Sequence, residues 1–144
     1  ARLNNGAFMQ LLGGDVAKKY DTGGIFDVEN MDVEQQRYDR HEISFTAPMY
    51  GPKMRAAQGE SGELEARILA ETPVTHDQLR KAKVQGTRRL GRILTPDLVV
   101  ALDSSGTKPA LTVSFDLTKG AFATTVLGEI MKVALAYTPN ALGE

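Results

Sequence analysis

Ala110-Leu111-Thr112-Val113-Ser114-Phe115-Asp116-Leu117, followed by Lys119-Gly120-Ala121-Phe122-Ala123-Thr124-Thr125-Val126-Leu127-Gly128-Glu129-Ile130-Met131, is the stretch that decides the fold class. Its first part alternates apolar and polar residues, the pattern of a half-buried strand. Gly120 supplies a turn. Phe122, Val126, Ile130, Val133 and Tyr137 then recur at helical spacing and form one apolar face about five turns long. Such a face needs a sheet to lie on. Just upstream, Leu98 to Leu102 reads as a strand and Asp103-Ser104-Ser105-Gly106 as a turn, so that strand and Ala110–Leu117 form an antiparallel hairpin. Helices mixed with mainly antiparallel strands, without steady βαβ alternation, give an α+β class. The expected architecture is a mainly antiparallel sheet with short helices and a long C-terminal amphipathic helix.

Working back through the chain, the apolar run Phe8–Leu12 before Gly13-Gly14-Asp15 and the run Ile25–Val28 after Gly23-Gly24 read as two short strands flanking a turn. Neither glycine pair makes a nucleotide-phosphate loop motif. Asp32 to Arg40 combines a capping residue with helix formers, and Ile43-Ser44-Phe45 alternates as a strand. Pro48, Gly51 and Pro52 impose a stiff loop that carries Met49, Tyr50, Lys53, Met54 and Arg55. These side chains either fill core gaps or present a binding surface. A helix is expected over Ser61–Glu71, with Leu64, Ile68 and Leu69 as its apolar stripe. Thr75-His76-Asp77-Gln78 has capping-box spacing and opens a second helix, running to about Val84 and stopping at Gly86. Arg2-Leu3-Asn4-Asn5-Gly6 after a non-methionine start reads as the end of an earlier helix, so an upstream portion is expected.

At 144 residues the chain suits one ordinary domain, with an element appended. No apolar run is long enough for a membrane span, and no secretory leader pattern is present. There is no cysteine, and His41 and His76 lack helical partners, so no metal site is expected. Absence of cysteine fits a reducing cytoplasm without establishing it. The net charge of −1 gives no general attraction to nucleic acid. Charge is nevertheless segregated. Arg80, Lys81, Lys83, Arg88, Arg89 and Arg92 fall between Gln78 and Pro96 with no carboxylate among them, while Asp27, Glu29, Asp32, Glu34, Asp39 and Glu42 crowd an earlier stretch. The basic run reads either as a solvated helix face with a loop or as a local contact surface for RNA.

The strand, glycine turn and helix at residues 110–131 strongly resemble the closing element of the tRNA pseudouridine synthase D (TruD) family, through the string Lys119-Gly120-Ala121-Phe122-Ala123-Thr124-Thr125-Val126-Leu127. Weaker likenesses precede it in the family's order. Gly14-Asp15-Val16 with Gly24-Ile25-Phe26-Asp27-Val28 resembles the opening of the inserted domain, and Ala47-Pro48-Met49-Tyr50-Gly51-Pro52-Lys53-Met54 its proline and glycine loop. Ala57-Gln58-Gly59-Glu60 leading to Glu65-Ala66-Arg67-Ile68-Leu69 resembles the next helix entry, and Gly86-Thr87-Arg88-Arg89 the paired-arginine segment. On this basis residues 1–109 correspond to the inserted domain and 110–144 to the last strand and helix of the catalytic domain. Gly128 stands where the family usually has an arginine. That departure either removes a basic contact or permits close packing.

The resemblance implies isomerisation of uridine to pseudouridine in tRNA without metal or organic cofactor: an aspartate breaks the glycosidic bond, and the rotated base rejoins through carbon. The base must be extruded and the RNA backbone held by cations. Phe122 is expected to wall the active site, although the residues alone make it core. Lys53, Arg88, Arg89, Arg92 and Lys119 are expected to meet RNA, with an exposed turn the alternative for Lys119. No residue of the chain is assigned as catalytic; Asp15, Asp97 and Asp116 read as caps or turns, and the catalytic aspartate is expected upstream. The chain alone is thus expected to be inactive and cytoplasmic, with tRNA and the N-terminal catalytic portion of the same enzyme as partners. The competing readings are a stand-alone, non-catalytic RNA-binding module and a protein-interaction domain using the last helix.

Overall fold

The computed structural model, which describes residues 7–131, is α+β with antiparallel pairing throughout. The sheet of the first unit contains β1 (Val16–Lys19), β2 (Ile25–Asp27), β3 (Ile43–Met49) and β4 (Thr87–Leu90) in the order β2-β1-β3-β4. Register is set by Ala17 opposite Phe26 on one side and Phe45 on the other, and by Ala47 opposite Arg89. The expected first strand at Phe8–Leu12 is corrected. Ala7–Met9 is a short 3-10 turn, and the strand follows the glycine pair instead. The cause is local capture of donors: Leu11 N–H goes to Gln35 Oε1 at 2.8 Å and Leu12 N–H to Asp15 Oδ2 at 2.7 Å, so neither is free for a ladder.

Leu11, Ala17, Val28, Tyr38, Ile43 and Phe45 form the apolar core beneath this sheet. Tyr38 comes from α1 (Met31–Asp39), whose cap is Asn30 rather than Asp32; the Asn30 side chain accepts from Val33 N–H. The Phe45 ring stacks near Tyr38 at 6.2 Å and meets Phe8 edge-on at 5.8 Å, both favoured aromatic geometries. Pro48 lies within β3, at a position where β4 alone flanks the strand, since pairing with β1 ends at Phe45.

Helix α2 (Gly59–Ala70) turns a polar row inward. Leu64, Ile68 and Leu69 are only half-buried, whereas Ser61 and Glu65, one turn apart, are buried. Ser61 Oγ donates to Asp15 Oδ1, and Glu65 pairs with Arg88 of β4. Arg88 also donates to Thr46 Oγ1 and to the carbonyls of Thr46 and Arg55. Gly14 seats the start of α2: its carbonyl accepts from Gln58 N–H, it has φ +78°, and a Cβ there would lie 2.2 Å from the Gln58 carbonyl oxygen.

Helix α3 (His76–Lys81) opens with the Thr75–Gln78 capping box, as its sequence predicts, and His76 is exposed. It ends earlier than the expected Val84. Lys83 N–H bonds to Arg80 O and Val84 N–H to Leu79 O, the paired closing bonds of a Schellman motif, with Lys83 in the left-handed conformation at φ 56°. Helix α1 closes the same way at His41, φ 60°.

The second compact unit begins at Ile93. Its hairpin joins β5 (Val99–Asp103) to β6 (Ala110–Ser114), with Val100 opposite Val113 and Leu102 opposite Leu111. This pairing places β5 and β6 in one hairpin within the second compact unit. Strand β6 stops at Ser114, short of the expected Leu117. Helix α4 covers Ala123–Met131; the extension of its apolar face to Val133 and Tyr137, like the segment Arg2–Gly6, lies outside the described residues.

Removing one partner of a buried ion pair costs about 3–5 kcal/mol, because the other charge is left uncompensated. Glu65→Ala should therefore lower the urea-unfolding free energy by about that amount, while exposed Glu63→Ala should shift it by less than about 0.5 kcal/mol.

Candidate nucleic-acid interface

The five cations expected to meet RNA separate into two classes. Arg88 is 5% exposed and Arg92 8% exposed. With every Arg88 nitrogen donating inward, that residue presents nothing to a phosphate. Arg92 donates through Nη2 to the carbonyls of Tyr38 and Ile43, at 2.6 and 3.3 Å, and its guanidinium lies 3.6 Å from the centre of the Tyr38 ring. Its backbone is held as well: Arg92 N–H donates to Ser44 Oγ, and the Arg92 carbonyl accepts from Tyr20 OH. Both arginines, expected to touch RNA, are turned inward in this structure, where Arg88 ties β4 to α2 and β3 and Arg92 ties the residues after β4 to α1 and β3.

Lys53, Arg89 and Lys119 are exposed. Alternation along β4 explains the contrast between neighbours, since Arg88 faces α2 and Arg89 projects from the opposite face, across from exposed Ala47. Lys53 rides on the loop after β3, which is tied down by Lys53 N–H to Gln85 O at 2.8 Å and by Met54 N–H to Gly51 O. Tyr50 anchors the same loop by donating to the Glu65 carbonyl at 2.7 Å. Burial, and then the charge of Glu65, raise the Tyr50 phenol above its usual range. The loop is thus fixed by one inward aromatic while its cation faces solvent. Arg55 is committed to Asp27 through two hydrogen bonds.

Lys81 and Lys83, which the sequence reading places in the basic run without singling them out as RNA ligands, are exposed as well. Arg80 between them and the cap is tied to Asp77. The available signal was the lack of carboxylates between Gln78 and Pro96; which of those cations face outward depended on strand phase and helix termination.

In the second unit, Lys119 sits in the turn before α4, and Phe122 directly precedes that helix, its carbonyl accepting from Thr125 N–H. Phe122 is 67% exposed, so within this chain it is not the core residue that its spacing alone indicated. Asp15 is buried and occupied as a turn cap, accepting from Leu12 N–H and Ser61 Oγ; Asp97 and Asp116 are exposed. Among the described residues no group of three His, Cys, Asp or Glu side chains is placed to hold a metal, and no helix is long and apolar enough to cross a membrane.

The two classes of arginine should respond differently to truncation. Arg92→Ala removes charge-assisted bonds and leaves buried carbonyls bare, an expected loss of about 3 kcal/mol in chemical denaturation, whereas Arg89→Ala should change stability by less than about 0.5 kcal/mol.

Comparison with known proteins places this geometry in context. The family model described as tRNA pseudouridine synthase D (TruD) matches residues 1–130. A tRNA pseudouridine synthase D of Syntrophotalea carbinolica is 43% identical over 122 residues, covering 83% of this chain and 30% of the relative. That of Anaeromyxobacter dehalogenans strain 2CP-C is 41% identical over 91% of this chain and 37% of its own length. A crystal structure of the TruD protein of Methanosarcina mazei superposes with a TM-score of 0.71 at 26% identity, over 92% of this chain and 34% of that one. The chain therefore spans about a third of the length of these relatives. With nearly its whole length matched in sequence and in fold, the chain belongs to the tRNA pseudouridine synthase D family.

Proposed function

We propose that this chain is the RNA-gripping and pocket-wall portion of a tRNA pseudouridine synthase, and that the carboxylate which attacks the glycosidic bond comes from a segment outside it. The observation that carries this reading is the uncovered apolar surface of the second unit. Val100, Leu102 and Leu111 are 55%, 69% and 57% exposed on one face of the β5–β6 hairpin, and Phe122 stands exposed before α4. A lone two-stranded hairpin is marginally stable in water, so such a face calls for further strands or a helix to cover it. The partner we assign is the N-terminal catalytic portion that the longer relatives contain.

Within that assembly residues 1–109 act as the inserted domain and 110–144 as the closing strand and helix of the catalytic domain. Phe122 supplies an aromatic wall for an extruded uracil, which must be held while its bond to the ribose is broken and remade. Lys53, Arg89 and Lys119 neutralise RNA phosphates. Arg88 and Arg92 hold the sheet and α2 in the geometry that presents the first two of these. The chemistry itself asks for no metal and no organic cofactor, and a cytoplasmic location follows from a tRNA substrate.

The test is incubation of the pure 144-residue chain with unmodified tRNA, alone and together with the N-terminal portion of the Syntrophotalea relative. No pseudouridine is expected from the chain alone, and formation is expected once the complement is added. Pseudouridine from the chain by itself would refute the assignment of the carboxylate to another segment. If the complemented mixture stayed silent although the chain still bound tRNA in a salt-dependent way, the stand-alone RNA-binding module would replace this reading.

A further inference from the structure

Helix α2 is docked by polar bonds, Ser61 to Asp15 and Glu65 to Arg88, and its apolar residues Leu64 and Ile68 are left half-buried. Beside them lies a groove of about 250 Å³, lined by Phe8, Phe45, Pro48, Leu64, Ile68 and Gly91. Two features keep it open. Pairing of β3 with β1 ends at Phe45, so β1 does not continue alongside Ala47 and Pro48. Gly91 lies so close to the Phe45 ring that a Cβ there would sit 2.0 Å from Cε2, and packing of that kind holds the ring in place.

We propose that this groove seats an apolar segment of the N-terminal catalytic portion, one whose buried side chains are flanked by lysine or arginine. The inference rests on the reading above that such a portion is the partner, and it adds a second contact, on the first unit, to the hairpin of the second.

Three observations select this occupant. The polar side chains that reach the groove are Thr46, Ser61 and Glu65. Each is committed inside the fold: Thr46 donates to the Val16 carbonyl and accepts from Arg88, Ser61 donates to Asp15, and Glu65 is paired with Arg88. The walls therefore favour hydrocarbon over a ligand that must be oriented by hydrogen bonds. The volume falls below the roughly 300–1,000 Å³ of small-molecule pockets and suits one or two side chains. Charge is the second observation. Across Leu64 the groove adjoins another hollow, where Glu60 and Glu63 stand exposed beside Arg67. Two carboxylates against one cation disfavour an RNA backbone and favour a basic flank on the partner. The third is the path of the chain: Phe8 lines the groove and Ala7 the adjoining hollow. Polypeptide that precedes Ala7 is thus tethered at this place, where a short linker gives an effective concentration on the order of millimolar.

The test titrates the 144-residue chain with the N-terminal portion of the Syntrophotalea relative, and separately with unmodified tRNA. Ile68→Ser deletes half-buried apolar surface and should weaken binding of the N-terminal portion about tenfold. Glu63→Lys, on the exposed side of α2, should weaken it about threefold at low salt, with the difference vanishing at high salt. Both variants should bind tRNA as the wild type does. Glu63→Lys decides the matter alone should Ile68→Ser fail to fold by circular dichroism. Leu111→Ser, on the hairpin, tests the underlying reading. Wild-type affinity for the N-terminal portion in either groove variant, with Leu111→Ser weakened, would overturn the groove and leave that reading standing. Weakened tRNA binding in Ile68→Ser, with affinity for the N-terminal portion unchanged, would also overturn it by making the groove a site for an unpaired base. No binding of the N-terminal portion by the wild type would overturn both.

Discussion

Moving a guanidinium and a carboxylate out of water costs several kcal/mol per ion unless each is closely paired and its remaining hydrogen bonds are met. Arg88 and Glu65 meet that condition by drawing four segments together. Arg88 lies on β4, Glu65 on α2, and the further acceptors belong to Thr46 of β3 and to Arg55 in the intervening loop. Thr46 in turn donates to the Val16 carbonyl of β1, so the network reaches the neighbouring strand. Ser61, one turn before Glu65, bonds to Asp15 at the start of β1. Helix α2 is therefore docked by polar bonds of defined direction rather than by an apolar stripe. Apolar packing alone would let the helix slide or rotate at little cost; a bidentate arginine fork allows one register.

That arrangement divides the labour among neighbouring cations. Arg88 and Arg89 are adjacent in sequence, and strand alternation sends one into the network and the other to solvent. Arg92, stacked on Tyr38 and bonded to the backbone at Tyr38 and Ile43, secures the end of the same segment. Buried arginines hold the strand still, and the exposed one inherits a fixed position. A cation on a rigid element loses less freedom when it meets an anion than one on a mobile loop.

Patterns whose causes are local were legible in the sequence. The Thr75–Gln78 capping box, the α1–β3 succession and the β5–β6 hairpin depend on neighbours a few residues away, and each is present. What could not be read depends on contacts made across the chain. Phe8–Leu12 has strand-like composition but loses its donors to Gln35 and Asp15. Helix α2 has an apolar stripe in its sequence but buries Ser61 and Glu65 instead, because Asp15 and Arg88 wait for them across the fold. Arg88 and Arg92 looked like surface cations for the same reason: residue type gives charge, while burial is decided by partners located more than twenty positions away. The exposed half of the basic run was visible as composition, and its direction was not.

The two units stand in different physical situations. The first covers its core of Tyr38, Ile43, Phe45 and Ala17, which is what a segment needs to hold its shape. The second pairs two strands and adds α4 while leaving Val99, Val100, Leu102, Leu111 and Phe122 more than half exposed. Charge repulsion or poor packing does not explain that surface, since the residues are apolar and the hairpin register matches Val100 to Val113 and Leu102 to Leu111 on one face. Val99 lies on the other side of the ribbon, so both faces of the hairpin present apolar side chains among the described residues. The first unit is thus held by directed internal bonds, whereas the apolar side chains of the second are left to solvent among the described residues.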